Sequence, residues 1–308
     1  MNTRIYWIDW LKVFGMLLVV YAHIDTESAV HQYIFTFHMP LFFIISGFLY
    51  KHREFIKECQ VVFKSLVIPY FVFSILLILH CSNSFFKDFI YISLGSLESV
   101  PLAIRPMWFV YSLAIMRIVV SLCGTLRRVA FVAIGCICIF LLILLFGLIP
   151  KDYDYFQINT TIMAFPFFAL GMFLKNYFNW IIKYKLFFIL FSLPFFYLAT
   201  INGEISLIRC EAGNHWVLFY LNAAFISLFL LLMFQTFLNK SNSIIKTTAM
   251  GLIIILASHL TIISYFDFLT KHLLHPVILT LVVMVIGYIM SRFSLRYFPI
   301  LFGKPFKR

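Results

Sequence analysis

The sequence predicts an all-α integral membrane protein, a polytopic helical bundle of about ten transmembrane helices with both termini cytoplasmic. Of its 308 residues, 63% are hydrophobic and only 12% are charged, far from the averages of soluble domains. The apolar residues form long, mostly uncharged runs, each close to the ~20 residues that cross a bilayer as a helix. No long polar stretch remains for a soluble domain, so we expect residues 1–308 to form a single transmembrane domain.

Ten apolar runs are predicted to span the membrane. They are residues 8–24, 31–50, 61–80, 107–123, 129–149, 158–174, 181–201, 215–238, 248–269 and 272–290. Residues 85–97 are also apolar, but this run is short and carries Lys87 and Asp88, so it is predicted to be interfacial or re-entrant. The first span is expected to be a retained anchor, because residues 20–28 offer no convincing small-residue cleavage site.

Lysine and arginine are distributed unevenly across this topology, and the asymmetry predicts its orientation. With a cytoplasmic N-terminus, 17 of the 24 basic residues are cytoplasmic and five lie on the opposite side, while Lys12 and Arg117 fall within spans. Membrane proteins keep such basic segments in the cytoplasm. The net charge of +12 reflects this asymmetry and gives no reason to expect a nucleic-acid partner. The basic tail, residues 291–308, is expected to contact anionic membrane lipids.

Three ionisable residues of the first span share one helical face. Lys12 and His23 are eleven residues apart, so they lie on nearly the same face, about 16 Å apart along the axis. Asp9 falls on that face too, and His38 lies in the second span. Ionisable groups within a membrane are costly and commonly functional, so this region is the candidate active site. Alternatively, Asp9 and Lys12 pair with each other at the membrane surface.

The same region resembles a known family of membrane enzymes. Lys12 and His23, followed by FHMPLFFIISGFL at residues 37–49, are similar to the opening of the acyltransferase 3 family, whose hallmark is a basic residue, ten residues and a histidine. RPMWFVYSL at residues 105–113 and FPFFALGMFLK at residues 165–175 resemble later family segments. Lysine in place of the usual arginine resembles the branch of fucose 4-O-acetylase-like proteins.

This resemblance implies a bacterial inner-membrane O-acyltransferase, most often an O-acetyltransferase. The implied donor is acetyl-CoA, and the implied acceptor is a hydroxyl of an envelope polysaccharide such as O-antigen, free or as a lipid-linked glycan. Lys12 is expected to hold the anionic part of the donor. His23 is the candidate general base, because an imidazole with an ordinary pKa of about 6.5 accepts a proton near neutrality. Asp9 is expected to position Lys12, and His38 to polarise the thioester carbonyl or exchange a proton.

Four further residues are candidates for contact with the acceptor. Arg105 and Trp108 follow the longest external connection, where an aromatic ring can stack on a sugar and a guanidinium can bind a hydroxyl or an acidic sugar. Such residues are equally typical of the membrane interface. Glu211 belongs to a polar external loop that is also typical of a solvated loop before a helix. His259 follows an apolar run in the ninth span, where a hydroxyl on the same helix is an alternative partner.

The remaining sequence features bear on metal binding, on the reaction mechanism and on the alternative function. The six cysteines show no CxxC or Cys/His spacing, so neither a metal site nor a disulfide framework is expected. No motif marks a serine or cysteine nucleophile, which favours direct transfer over an acyl-enzyme. Arg117 lies within a span and calls for a carboxylate or backbone partner; Glu54 and Glu58 are the carboxylates at a matching depth. A transporter or flippase of a lipid-linked glycan precursor is the alternative function, since ten spans with ionisable groups suit it too.

Overall fold

The computed structural model describes residues 4–24, 29–147, 154–270 and 273–302, almost all of them in α-helices. Parts of four features predicted above lie outside the described residues: residues 25–28 of the segment considered for a cleavage site, the end of the fifth span at residues 148–149, the start of the tenth span at residue 272, and the end of the basic tail from residue 303.

Most of the helices are joined by short connections; the two longest are residues 94–107 and 201–215. In chain order they are α1 (Tyr6–Ile24), α2 (Ala29–Leu49), α3 (Phe55–Val62), α4 (Ile68–Cys81), α5 (Phe85–Ser93), α6 (Trp108–Cys123), α7 (Leu126–Leu145), α8 (Ile158–Lys183), α9 (Lys185–Thr200), α10 (Trp216–Phe237), α11 (Ser243–Met250), α12 (Leu252–Thr270) and α13 (Pro276–Tyr297). Two short strands, β1 (Ile205–Ser206) and β2 (Glu211–Ala212), form an antiparallel hairpin between α9 and α10.

The polytopic membrane bundle predicted from the sequence is confirmed. Within the described residues, nine helical segments are long and apolar enough to cross a membrane, and they correspond to nine of the ten predicted spans. The remaining predicted span, the seventh along the chain, corresponds to α9, an apolar helix of only 16 residues. The run at residues 85–97 is not an eleventh span, because α5 has only nine residues.

The boundary between α8 and α9 differs from the prediction. The sixth span was expected to end at residue 174 and the seventh to begin at residue 181, but α8 continues for 26 residues to Lys183. The polar residues after Lys175 indicated a loop, yet neither glycine nor proline interrupts the helix there. Because α8 takes residues 181–183, α9 is shorter than the predicted span.

The third span begins earlier than predicted and changes its winding on the way. It starts with α3 at Phe55, widens into a π-helix over Phe63–Val67 and continues as α4. Pro69 has no N–H with which to bond the carbonyl of Ser65, and a proline near such a point is a common cause of irregular winding. This arrangement places Glu58, in α3, inside the bundle, where its side chain is fully buried.

The centre of the bundle is the crossing of α2 and α8. Across the hydrophobic stretch of α2, 72% of the residues are buried, compared with 11% in α7. Gly47 of α2 and Gly171 of α8 face each other's helices, and a Cβ at either position would collide with a backbone carbonyl, that of Phe168 or Ile44. These glycines therefore let two helices approach closely, as small residues do in membrane bundles.

The two ends of the bundle differ in chemistry. We call one the basic end, where Arg4 donates to the carbonyl of Lys246 and Lys175 donates to the carbonyl of Tyr50. We call the other the hairpin end, where β1 and β2 lie. The β-hairpin packs against the bundle through Ile205 and Leu207, both buried. The sequence-based orientation predicts that the basic end is cytoplasmic.

Candidate active site

Two adjoining cavities follow α1 between the two ends of the bundle. The basic-end cavity, of about 350 Å³, is lined by Lys12, Met16 and Val19 of α1. The hairpin-end cavity, of about 250 Å³, is lined by Val19 and His23 of the same helix. Of the ionisable residues predicted to share one face of α1, Lys12 therefore lines one cavity and His23 the other, and Asp9 lines neither.

Three apolar side chains line both cavities. They are Val19 of α1, Met39 of α2 and Leu256 of α12, and we call them the shared wall. Each is at least nine-tenths buried. Because the two cavities have these residues in common, the distance from one cavity to the other is about one layer of side chains.

Asp9 lies beyond the basic-end cavity and pairs with Arg4. Nε of Arg4 donates to one oxygen of Asp9 at 2.5 Å, and Nη2 donates to the other at 3.0 Å. The pairing of Asp9 with Lys12, considered above as an alternative, is absent from the ion pairs of the described residues. The sequence could not reveal this, because Arg4 precedes the helix and its position was not fixed by helical periodicity.

Three histidines near the hairpin end each bond a carbonyl of their own helix through Nδ1, while Nδ1 of His31 is 2.6 Å from the carbonyl oxygen of Ala22 on α1. Nδ1 of His23 is 2.8 Å from the carbonyl oxygen of Val19, and Nδ1 of His38 is 2.9 Å from that of Ile34. Nδ1 of His259 is 2.8 Å from the carbonyl oxygen of Leu256. A carbonyl oxygen only accepts hydrogen bonds, so each Nδ1 carries the hydrogen and, in the neutral ring, each Nε2 keeps a lone pair. His23 and His38 both line the cavity with this tautomer fixed, which suits a general base.

His259 lies behind His23 and does not line either cavity. Its side chain is fully buried, and its ring is edge-on to that of His23 with centroids 5.0 Å apart. No hydroxyl of its own helix bonds the ring, and Nε2 of His259 has no hydrogen-bond partner among the described residues. Its position next to the candidate base is therefore shown, and its contact with an acceptor stays a prediction.

The outer wall of the hairpin-end cavity comes from two segments of the chain. Arg105 contributes from the 3-10 helix Leu102–Met107, Trp108 from the first residue of α6, and Glu204 through Arg209 from the β-hairpin. Nε of Arg105 donates to the carbonyl of Val100 at 3.3 Å, and the residue is exposed. Glu211 does not line the cavity; its carboxylate accepts from Nη2 of Arg209 at 3.0 Å.

Several cavity residues were not selected from the sequence. His31 lies two turns and Phe35 one turn before His38 on α2, with ring centroids 4.0 Å apart, and both line the hairpin-end cavity. Helical spacing to His38 was the signal that could have found them. Glu204 and Arg209 carried no such signal, because their approach to His23 depends on how the β-hairpin folds back over the bundle.

The partner of Arg117 is Glu58, one of the two carboxylates considered above. Nε and Nη2 of Arg117 both bond one oxygen of Glu58, and Nη1 of Arg53 bonds the other. Tyr50 lies nearby, outside the spans, where burial and then the charge of Glu58 raise the pKa of its phenol above the ordinary value. Arg117 also lines the basic-end cavity opposite Lys12.

The described residues contain no group of three or more His, Cys, Asp and Glu side chains arranged to hold a metal ion. A family model described as an acyltransferase domain matches residues 5–292, nearly the whole chain. No curated protein and no solved structure matches this chain.

Proposed function

Because the chain belongs to the acyltransferase 3 family, we propose that it transfers an acetyl group from acetyl-CoA to a hydroxyl of an envelope polysaccharide. The observation that carries this proposal is the position of Lys12 and His23, a cation and a base on one helix, in two adjoining cavities. In this proposal the protein lies in the bacterial inner membrane with the basic end in the cytoplasm. The donor then enters at the basic end, and the acceptor binds at the hairpin end.

The donor extends along α1 in this proposal. Lys12 holds an anionic part of acetyl-CoA in the basic-end cavity, and the thiol-bearing arm passes the shared wall toward His23. The two residues are about 16 Å apart along the helix axis. An extended arm bridges such a distance, whereas the bulky anionic part stays at the basic end. Side-chain rotation of Met39, a flexible residue of the shared wall, makes room for the arm.

His23 then acts as the general base in a direct transfer. Its Nε2 lone pair removes the proton from the acceptor hydroxyl while the hydroxyl oxygen attacks the thioester carbonyl carbon. The tetrahedral intermediate collapses by breaking the C–S bond, which leaves an acetyl ester on the glycan. The departing thiolate takes the proton back from His23, so the protein ends the cycle unchanged. His38, which lines the same cavity, assists the proton transfers.

The acceptor is held by the outer wall of the hairpin-end cavity. Trp108 offers an aromatic face for a sugar ring, and Arg105 offers a guanidinium for its hydroxyl or carboxylate groups. Glu211 acts on this wall through Arg209, which it fixes by an ion pair. A polysaccharide or lipid-linked glycan fits a cavity whose polar groups come from the hairpin end.

The test is the acetylation of the surface polysaccharide. We expect His23→Ala to abolish alkali-labile acetyl esters, measured by mass spectrometry, without loss of the protein from the membrane. Lys12→Ala should mainly raise the donor concentration required for half-maximal rate. The exposed His80 provides a matched control, and His80→Ala should keep wild-type acetylation.

The same experiment separates acyl transfer from the transport alternative. Deletion of an acetyltransferase removes the esters and leaves the glycan chains, whereas deletion of a flippase changes the amount of whole chains. Full acetylation by His23→Ala would overturn the proposed mechanism, and intact esters after deletion of the protein would overturn the proposed function.

A further inference from the structure

A second cation lies in the basic-end cavity, on the wall formed by α6. The guanidinium of Arg117 lines the cavity with Lys12, and its side chain is 18% exposed. An arginine at this depth within a span is costly unless it has a partner or a ligand. The proposed donor contact, Lys12, gives no account of why Arg117 is placed there.

Glu58 holds Arg117 in place but does not neutralise its surroundings. The carboxylate of Glu58 is fully buried, and it accepts from Arg117 at 2.8 and 2.5 Å and from Arg53 at 2.9 Å. Two guanidiniums share one carboxylate, so this cluster keeps one net positive charge. Lys12 adds another, since it forms no ion pair within the described part of the chain. The basic-end cavity is therefore lined by two cationic side chains, Lys12 and Arg117, and its described lining includes no carboxylate.

The geometry of the Arg117 guanidinium leaves donors for a ligand. Its Nε and one Nη2 hydrogen are directed to Glu58, whereas an arginine has five N–H groups in a planar fork. No acceptor for Nη1 of Arg117 is found among the described residues. A guanidinium fixed on one edge and open on the other suits bidentate binding of a phosphate group.

We propose that Arg117 and Lys12 form a two-cation site for the phosphate groups of the acyl donor, with Glu58 as the positioning residue for Arg117. This inference rests on the proposed function. The group recognised by the two cations is phosphate, so the binding of a donor that lacks phosphates should not depend on Arg117. Glu58 touches no part of the donor and acts only by orienting the guanidinium.

The test compares two thioesters with the same acetyl group. One is acetyl-CoA, which carries phosphates, and the other is S-acetyl-N-acetylcysteamine, which carries none. For Arg117→Gln we expect KM for acetyl-CoA to rise about tenfold or more with kcat nearly unchanged, because a charged hydrogen-bond pair is lost. KM for the phosphate-free thioester should stay within about twofold.

Further variants separate a binding role from a structural one. Arg117→Lys keeps the charge and should recover part of the acetyl-CoA affinity, and Glu58→Gln should raise KM for acetyl-CoA alone. Arg127 is an exposed arginine that lines neither cavity, so Arg127→Ala should change neither donor. If Arg117→Gln does not accumulate in the membrane, the KM values of Arg117→Lys and Glu58→Gln for the two thioesters test the two-cation site instead.

The possible failures are distinguishable. Equal losses with both thioesters, or no loss with either, would overturn the two-cation site while leaving acetyl transfer intact. Wild-type protein that transfers acetyl from neither thioester would overturn the proposed function. In that case, equilibrium binding of CoA to the purified wild-type and Arg117→Gln proteins still tests the site, and equal affinities would overturn it.

Discussion

His23 and His259 meet edge to face with ring centroids 5.0 Å apart, although they lie near opposite ends of the chain. His259 bonds its own helix through Nδ1 and is fully buried, and its Nε2 has no partner among the described residues. A buried acceptor without a partner is normally costly. In the proposed mechanism, however, His23 gains a proton in each cycle, and a lone pair beside it stabilises the positive charge that forms.

The first prediction concerns this lone pair. His259→Phe keeps an aromatic ring against His23 but has no nitrogen, and we expect it to lower the rate of acetyl transfer at least about tenfold, the effect of losing one favourable polar contact in the transition state. His259→Asn keeps a polar group and should retain more activity. Transfer rates in membranes with matched protein levels measure the effect. Wild-type rates for His259→Phe would show that the ring serves packing alone.

The second prediction concerns the shared wall. Val19→Phe places a large side chain between the two cavities, so the donor arm should be blocked and the transfer rate should fall by more than about tenfold. Val13→Phe is the matched control, because Val13 is on the same helix and lines neither cavity. Val19→Ala should remain active. A fully active Val19→Phe would mean that the donor does not cross this wall.

The third prediction concerns acceptor recognition at the hairpin end. Arg105→Ala should raise the acceptor KM severalfold, roughly the effect of losing a charge-assisted hydrogen bond, and leave the donor KM unchanged. Lys87, an exposed cation outside both cavities, is the control. Steady-state kinetics with each substrate varied in turn separate the two constants. A change confined to the donor KM would place Arg105 outside the acceptor site.

The fourth prediction concerns the crossing of α2 and α8. A Cβ at Gly171 would collide with the carbonyl of Ile44, so Gly171→Ala should destabilise the protein by about 1–3 kcal/mol. A Cβ at Gly135 of α7 meets nothing within 4 Å, so Gly135→Ala should leave the melting temperature unchanged or raise it. Thermal unfolding in detergent compares the two. Equal melting temperatures would argue against the close crossing.

The fold and the stripe on α1 were predictable because both depend on local patterns. Hydrophobic runs of bilayer length define the spans, and the eleven-residue interval places Lys12 and His23 on one helical face. The depth of Arg117 in its span made Glu54 and Glu58 the candidate carboxylate partners, and Glu58 is the partner observed. Each of these inferences needs only the chain distance and the helical repeat.

The rest of the site depends on contacts between distant segments. His259 approaches His23 only because α12 packs against α1, and Arg209 reaches the cavity only because the β-hairpin folds over it. Nothing in the local sequence of either residue specifies those neighbours. The length of α8 was missed for a different reason, since polar residues after Lys175 resemble a loop although the helix has no breaker there.

The shared wall also has an electrical consequence. Ionisable side chains in the linings of both cavities offer hydrogen-bond partners to water. In the proposed orientation, the membrane voltage then falls mainly across Val19, Met39 and Leu256, a layer far thinner than the bilayer itself. In the proposed mechanism, these three side chains must therefore close behind each passing thioester before protons follow it down their gradient.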